Sequence, residues 1–161
     1  MKRIIVIGLL LFAFMSGNGQ IQTCISKIDA ERILGRPALQ TMQNEEDSGS
    51  VKVFRCAYSM VRPENTTGPE SNLYFMFEEY EKITAAEKTF AVIVSQNTGM
   101  RGFHQLPGFG DEAILQTDNR NFQLIIVRKS GKIIRIKVNR ITSTTSMDAM
   151  KAITKGIVES M

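Results

Sequence analysis

Apolar and polar positions along this chain switch between two periods. Five stretches alternate with a period of two, the signature of strands with one face turned to a core. They are 51–60, 73–79, 113–116, 122–128 and 133–139. In the first, Phe54, Cys56, Tyr58 and Met60 share one face, while Val51, Val53 and Ala57 share the other with Arg55. In the second, Leu73, Phe75 and Phe77 oppose Tyr74 and Met76. Apolar residues on both of its faces predict a strand inside the sheet. In the last, Ile134, Ile136 and Val138 alternate with Arg135 and Lys137, so one face is buried and the other wet. Lys129-Ser130-Gly131-Lys132 reads as a hairpin turn between the last two strands.

Three stretches have helical spacing. Ser26 and Asp29 form a capping-box variant, with Ile25 as the apolar residue before the cap. Ile28, Ile33 and Leu34 then share a face; Gly35 closes the helix and Pro37 prevents its return. Thr84 and Glu87 open a second helix, with Ala86, Phe90, Ile93 and Val94 inward, and Asn97 to Gly99 end it. Thr145 and Asp148 open a third, in which Met147, Met150, Ile153, Ile157, Val158 and Met161 recur as a core stripe. Residues 38–50, 61–71 and 100–112 read as loops. The order αββαβββα, with hairpin connections, predicts an α+β fold: an antiparallel sheet of about five strands with helices packed on it.

The N-terminus has a different pattern. Lys2 and Arg3 precede an apolar run from Ile4 to Met15, followed by Ser16, Gly17, Asn18 and Gly19. This is the layout of a secretory signal peptide. The run is short for a membrane span, which needs roughly 20 residues. Residues 1–19 are therefore expected to be removed after Gly19, leaving 20–161 as a single exported α+β domain with no membrane span. Cys24 follows Ile21-Gln22-Thr23, which lacks the small residue of a lipoprotein site.

Composition narrows the function classes. The 161 residues are 43% hydrophobic and 22% charged, as in an ordinary globular domain. Without Lys2 and Arg3, the 20 bases fall to 18 against 16 acids. The mature chain is then nearly neutral, and nucleic-acid binding argued from charge disappears. Cys24 and Cys56 are the only cysteines. In an oxidising compartment they read as one disulfide, tying the segment before the first helix to the first predicted strand.

The segment Leu106-Pro107-Gly108-Phe109-Gly110-Asp111-Glu112-Ala113, together with Cys24, Leu34-Gly35 and Cys56-Ala57-Tyr58, resembles a group of small exported bacterial proteins. The group includes actinobacterial lipoproteins of unknown function and the extracellular sensor domains of some bacterial kinases. The resemblance implies a PsbP-like α/β/α sandwich, and it brings no shared catalytic motif. This chain departs from the group in lacking a lipobox and a cytoplasmic kinase region. In the Gly-Phe-Gly turn, Gly108 and Gly110 admit positive φ and Phe109 can plug a core edge, while Asp111 can bond nearby amides.

Candidate chemistry is sparse. His104 is the only histidine, and no G-x-S-x-G elbow, phosphate loop or metal-ligand spacing accompanies it. Glu45-Glu46-Asp47 reads as a solvated turn, and Glu78, Glu79 and Glu81 as ordinary solvated positions at a strand end. Asn65-Thr66-Thr67 is a glycosylation sequon. From Arg120 to Arg140 there are seven bases and no acid. Arg128, Lys132, Arg135 and Lys137, joined by His104 and Asp111 in the glycine-rich loop, form the candidate binding surface. Lysines on a strand also discourage sheet-to-sheet pairing. The expected function is an exported, non-enzymatic binding or accessory module. Its partner is an unknown small molecule, an anionic surface or an exported protein, without metal, cofactor or nucleic acid. The alternatives are an inhibitor or immunity-type protein that binds another exported protein, and a hydrolase using His104.

Overall fold

The computed structural model describes residues 24–62 and 70–161. The signal segment 1–19, its cleavage point and the sequon at Asn65 lie outside the described residues. The elements run α1 (Lys27–Leu34), β1 (Ala38–Asp47), β2 (Val51–Met60), β3 (Asn72–Tyr80), α2 (Ile83–Asn97), β4 (Phe103–Gln105), β5 (Glu112–Thr117), β6 (Gln123–Lys129), β7 (Lys132–Val138) and α3 (Met147–Glu159). The strands form one antiparallel sheet in the order β1-β2-β3-β7-β6-β5-β4. The fold is thus α+β with helices on a sheet, and the sheet has seven strands rather than about five.

Both additional strands lie at the edges, where the hydrophobic period is weakest. Residues 38–47 pair with β2 as a ten-residue strand, of which only Ala38 is buried. Nothing in so polar a run announces a strand; its backbone is held by the ladder to β2. The Glu45-Glu46-Asp47 run is the end of this strand, not a turn. Glu46 pairs with Arg55 at 2.8 Å and Asp47 with Lys52 at 3.7 Å. The short β4 pairs with β5 inside the segment read as irregular.

Pleat alternation puts two cores on the two faces. On one face, Cys56, Tyr58, Leu73, Phe75, Phe77, Leu115, Ile125, Val127, Ile134 and Ile136 pack against α1 and α3. The methionine stripe of α3 faces this core, with Met150 buried and Met147 and Met161 at its margin. On the other face, Ile114, Ile126 and Ile133 pack against Ala86, Phe90 and Ile93 of α2. As alternation on both faces requires, β3 lies inside the sheet, between β2 and β7.

The caps follow local chemistry more closely than spacing. At α1 the Asp29 amide donates to Ser26 Oγ at 3.1 Å, and Gly35 adopts φ 70 at the C-cap. Ile25 is buried beside this cap, whereas Ile28 stays 69% exposed, off the buried stripe. At α2 the N-cap is Lys82, with no side-chain bond, in place of Thr84. At α3 the cap is Ser146, whose Oγ accepts from the Ala149 amide. Thr145 is used in the preceding turn, where the Thr142 amide donates to its hydroxyl. The Ser146 amide donates to the Ile33 carbonyl, and the Thr144 hydroxyl to the Leu34 carbonyl. The last carbonyls of α1 are thereby satisfied by the approach to α3.

Cys24 and Cys56 form the disulfide, with Cα atoms 6.0 Å apart. It ties the segment before α1 to β2, the second strand. Beside it the Tyr58 hydroxyl donates to the Ile25 carbonyl at 2.7 Å.

Candidate functional site

The face carrying α2 is only partly covered. The helix packs over β5, β6 and β7. It also reaches the end of β3 at Tyr80, but the same face of β1 and β2, and of β3 around Tyr74 and Met76, has no helix over it among the described residues. Registered pairing sets its side chains in rows across the strands. One row runs Leu124, Lys137, Tyr74, Ala57 and Met42. The next runs Arg135, Met76, Arg55 and Asn44, and the one beyond it Glu78, Val53 and Glu46. A shallow cavity of about 310 Å³ opens on the first two rows, lined by Met42, Arg55, Tyr74, Met76, Leu124, Arg135 and Lys137 among others. Met42 and Tyr74 keep 38% and 39% of their surface exposed.

The charges around this floor are unequally engaged. Arg135 holds Glu78 through Nε at 3.0 Å and Nη2 at 2.8 Å. Arg55 holds Glu46 at 2.8 Å. Both guanidinium heads therefore turn toward the Glu78–Glu46 row, and their alkyl stems flank Met76. The ammonium of Lys137 lies 5.8 Å from the centre of the Phe122 ring. No carboxylate pairs with it among the described residues.

The six residues singled out by the sequence fall into separate places. Arg135 and Lys137 stand on the open face. Arg128 is on the same side of the sheet but under α2's half, its side chain only 9% exposed and bonded to Glu112 at 2.8 Å and Asp111 at 3.0 Å. Burial opposes its charge, but the bond to Glu112 and the charges of Glu112 and Asp111 outweigh this and raise its pKa. Asp111 also accepts from the Ser130 amide at 2.7 Å, pinning the glycine-rich loop to the β6–β7 hairpin. Lys132 points to the α1/α3 side, where Glu79 stands 3.9 Å away. His104 is exposed on β4, opposite Leu115. No hydrogen bond or ion pair engages its imidazole among the described residues.

Glu78 is a correction to the sequence reading. It is buried and paired with Arg135, not solvated. Arg55, Met42, Tyr74 and Met76 were not singled out as site residues. Tyr74 and Met76 did signal themselves as an apolar pair on the second face of a strand. The loop carrying Phe109 lines a separate groove of about 340 Å³ with Phe90 and Val94 of α2. Among the described residues no three His, Cys, Asp or Glu side chains converge on a metal position, and no helix is long and apolar enough to cross a membrane. No family model, curated protein or solved structure matches this chain.

Proposed function

We propose that the chain is an exported, non-enzymatic binding module, that its ligand carries an anionic group, and that the uncovered half of the sheet is the seat. One observation carries the reading. An apolar floor lies open to solvent beside Lys137, a cation with no carboxylate partner among the described residues. Exposed apolar surface rimmed by polar groups marks interaction sites, and a bare ammonium at its margin selects negative charge. The floor side chains are methionine, leucine, alanine and tyrosine, which supply contact area rather than a nucleophile. The carboxylates of the adjoining row, Glu78 and Glu46, are committed to Arg135 and Arg55.

The disulfide supports export, because such bonds persist in oxidising compartments, and so does the basic-then-apolar pattern of residues 1–19. Helices on both faces of an antiparallel sheet support the PsbP-like sandwich implied by the glycine-rich segment. Native mass spectrometry of the protein purified from its own envelope compartment tests the reading. A carried anionic adduct is expected, and it is lost in Lys137→Glu. An adduct retained by that variant overturns the seat. Lys137 is the informative site because reversing Arg135 would set two carboxylates against each other at Glu78.

A second reading, a protein that blocks another exported protein, draws on β1. Nine of its ten residues are exposed at a sheet edge, and such an edge can accept an added strand. A stoichiometric partner from the envelope fraction, lost in Leu39→Lys, would favour it; no such partner would dismiss it.

A further inference from the structure

We infer that the ligand is a free single-chain amphiphile of the alkanoate type, its anionic head at Lys137 and its chain laid across β3 and β2 toward Met42. This rests on the anion-binding reading above and narrows it to a ligand class.

The dimensions of the row come first. Lys137, Tyr74, Ala57 and Met42 sit on four neighbouring strands, so three strand spacings of about 4.8 Å separate the ends, roughly 14 Å in all. With carbon–carbon bonds of about 1.5 Å set in a zigzag, a saturated chain of roughly ten to twelve carbons covers that span. The cavity of about 310 Å³ is at the small end of ligand sites. It suits one chain and not a ring system with a second layer.

The charges come next. The two arginines on the floor are bonded to Glu78 and Glu46, which leaves Lys137, among the described residues, as the cation on the floor without a carboxylate. One uncommitted charge matches a monoanionic head. A polyphosphate or an acidic polysaccharide would meet no further free cation there among the described residues. The Phe122 ring under the ammonium holds it by cation–π attraction without neutralising it. The stems of Arg55 and Arg135 and the thioethers of Met42 and Met76 give the chain flexible apolar walls, which tolerate a chain of variable length.

The depth of the seat selects a free molecule over a bilayer. The helix α2 lies on the same face, and a helix with its side chains is about 10 Å thick. A flat membrane meets α2 before it reaches Tyr74.

The test uses the full chain, purified with its disulfide closed, in isothermal titration. The probes are dodecanoate below its micelle threshold, dodecyltrimethylammonium, acetate, inorganic phosphate and anionic phosphatidylglycerol vesicles. One dodecanoate should bind per chain. Dodecyltrimethylammonium should bind at least tenfold more weakly, and acetate and vesicles should give no signal. Lys137→Glu and, separately, Met42→Asp at the exposed far end should each weaken dodecanoate at least tenfold, with melting temperatures near that of the parent protein. Equal binding of the cationic amphiphile, or no effect of Lys137→Glu, overturns the inference. Binding of phosphate alone, lost in Lys137→Glu, overturns the amphiphile while the anion-binding reading stands. Vesicle binding without monomeric dodecanoate binding replaces the free ligand with a membrane. Silence from all five probes overturns the alkanoate, and the mass of the native adduct then decides the broader reading separately.

Discussion

Arg135 grips Glu78 with two nitrogens across the β7–β3 pairing, although 57 residues separate them in the chain. Glu78 is buried while Arg135 remains partly exposed. The pair closes off one side of the open floor and turns the arginine head away from it. Removing one partner leaves the other poorly solvated, which costs more than the pair contributes when intact.

Glu78→Gln is therefore expected to lower stability by about 1–3 kcal/mol in urea denaturation. Replacing both residues, as in Glu78→Gln with Arg135→Met, should recover much of that loss. A double-mutant cycle measures the coupling. Additive losses would show that the pair is not an energetic unit.

The glycine-rich loop is held at Asp111. Its carboxylate accepts from Arg128 and from the Ser130 amide, and its own amide donates to the Arg128 carbonyl. Asp111→Ala should destabilise by about 1–3 kcal/mol through loss of charge-assisted bonds. Gly110→Ala should be at least as damaging. Gly110 has φ 57, and an added Cβ would come within 2.5 Å of the Arg128 carbonyl oxygen. Such strain costs about 1–3 kcal/mol before the clash is counted. Thermal denaturation of the two variants checks both.

The Cys24–Cys56 bond closes a span of 32 residues. Chain entropy assigns such a loop about 3–4 kcal/mol. Reduction, or Cys24→Ala with Cys56→Ala, should lower the urea midpoint accordingly. A midpoint that does not move would mean that the Tyr58–Ile25 hydrogen bond and the buried side chains of α1 hold that region without it.

Burial raises the pKa of Tyr58 above its ordinary value, and burial first, then the charge and hydrogen bond of Glu78, do the same for Tyr80 against the Thr89 hydrogen bond and the Arg135 charge. The folded chain thus keeps phenolic protons that the unfolded chain gives up near pH 10. This contribution to stability is complete below the unfolded pKa and is lost as pH rises through the folded one. Stability should decline on alkaline titration. Tyr58→Phe should flatten that decline while costing about 1 kcal/mol at neutral pH for the bond to Ile25. Urea midpoints across the alkaline range measure both effects.

Strands with strong apolar alternation were readable in the sequence, because burial on at least one face imposes a period on the residues. Ser26 and Gly35 were readable at α1 for a similarly local reason: a cap bond and a left-handed φ each select a residue type. The hairpin at residues 129–132 was readable as well, although Ser130, not Gly131, adopts the positive φ there. By contrast, β1 was invisible. An exposed edge strand is held by backbone bonds to its neighbour, and those bonds place no demand on side-chain pattern.

The sequence by itself determined the fold class, the two faces of each inner strand, the cysteine pairing and the bias of the last strands toward basic residues. Tertiary structure alone decided what those bases do. Register across the sheet turns Arg128 to Asp111 and Glu112, Lys132 to Glu79 and Arg135 to Glu78, and leaves Lys137 beside an aromatic ring. Register also lines up Met42, Tyr74 and Met76 on a face that α2 stops short of covering. Charge pairing and helix coverage depend on distances between strands far apart in the chain, and a one-dimensional pattern does not contain those distances.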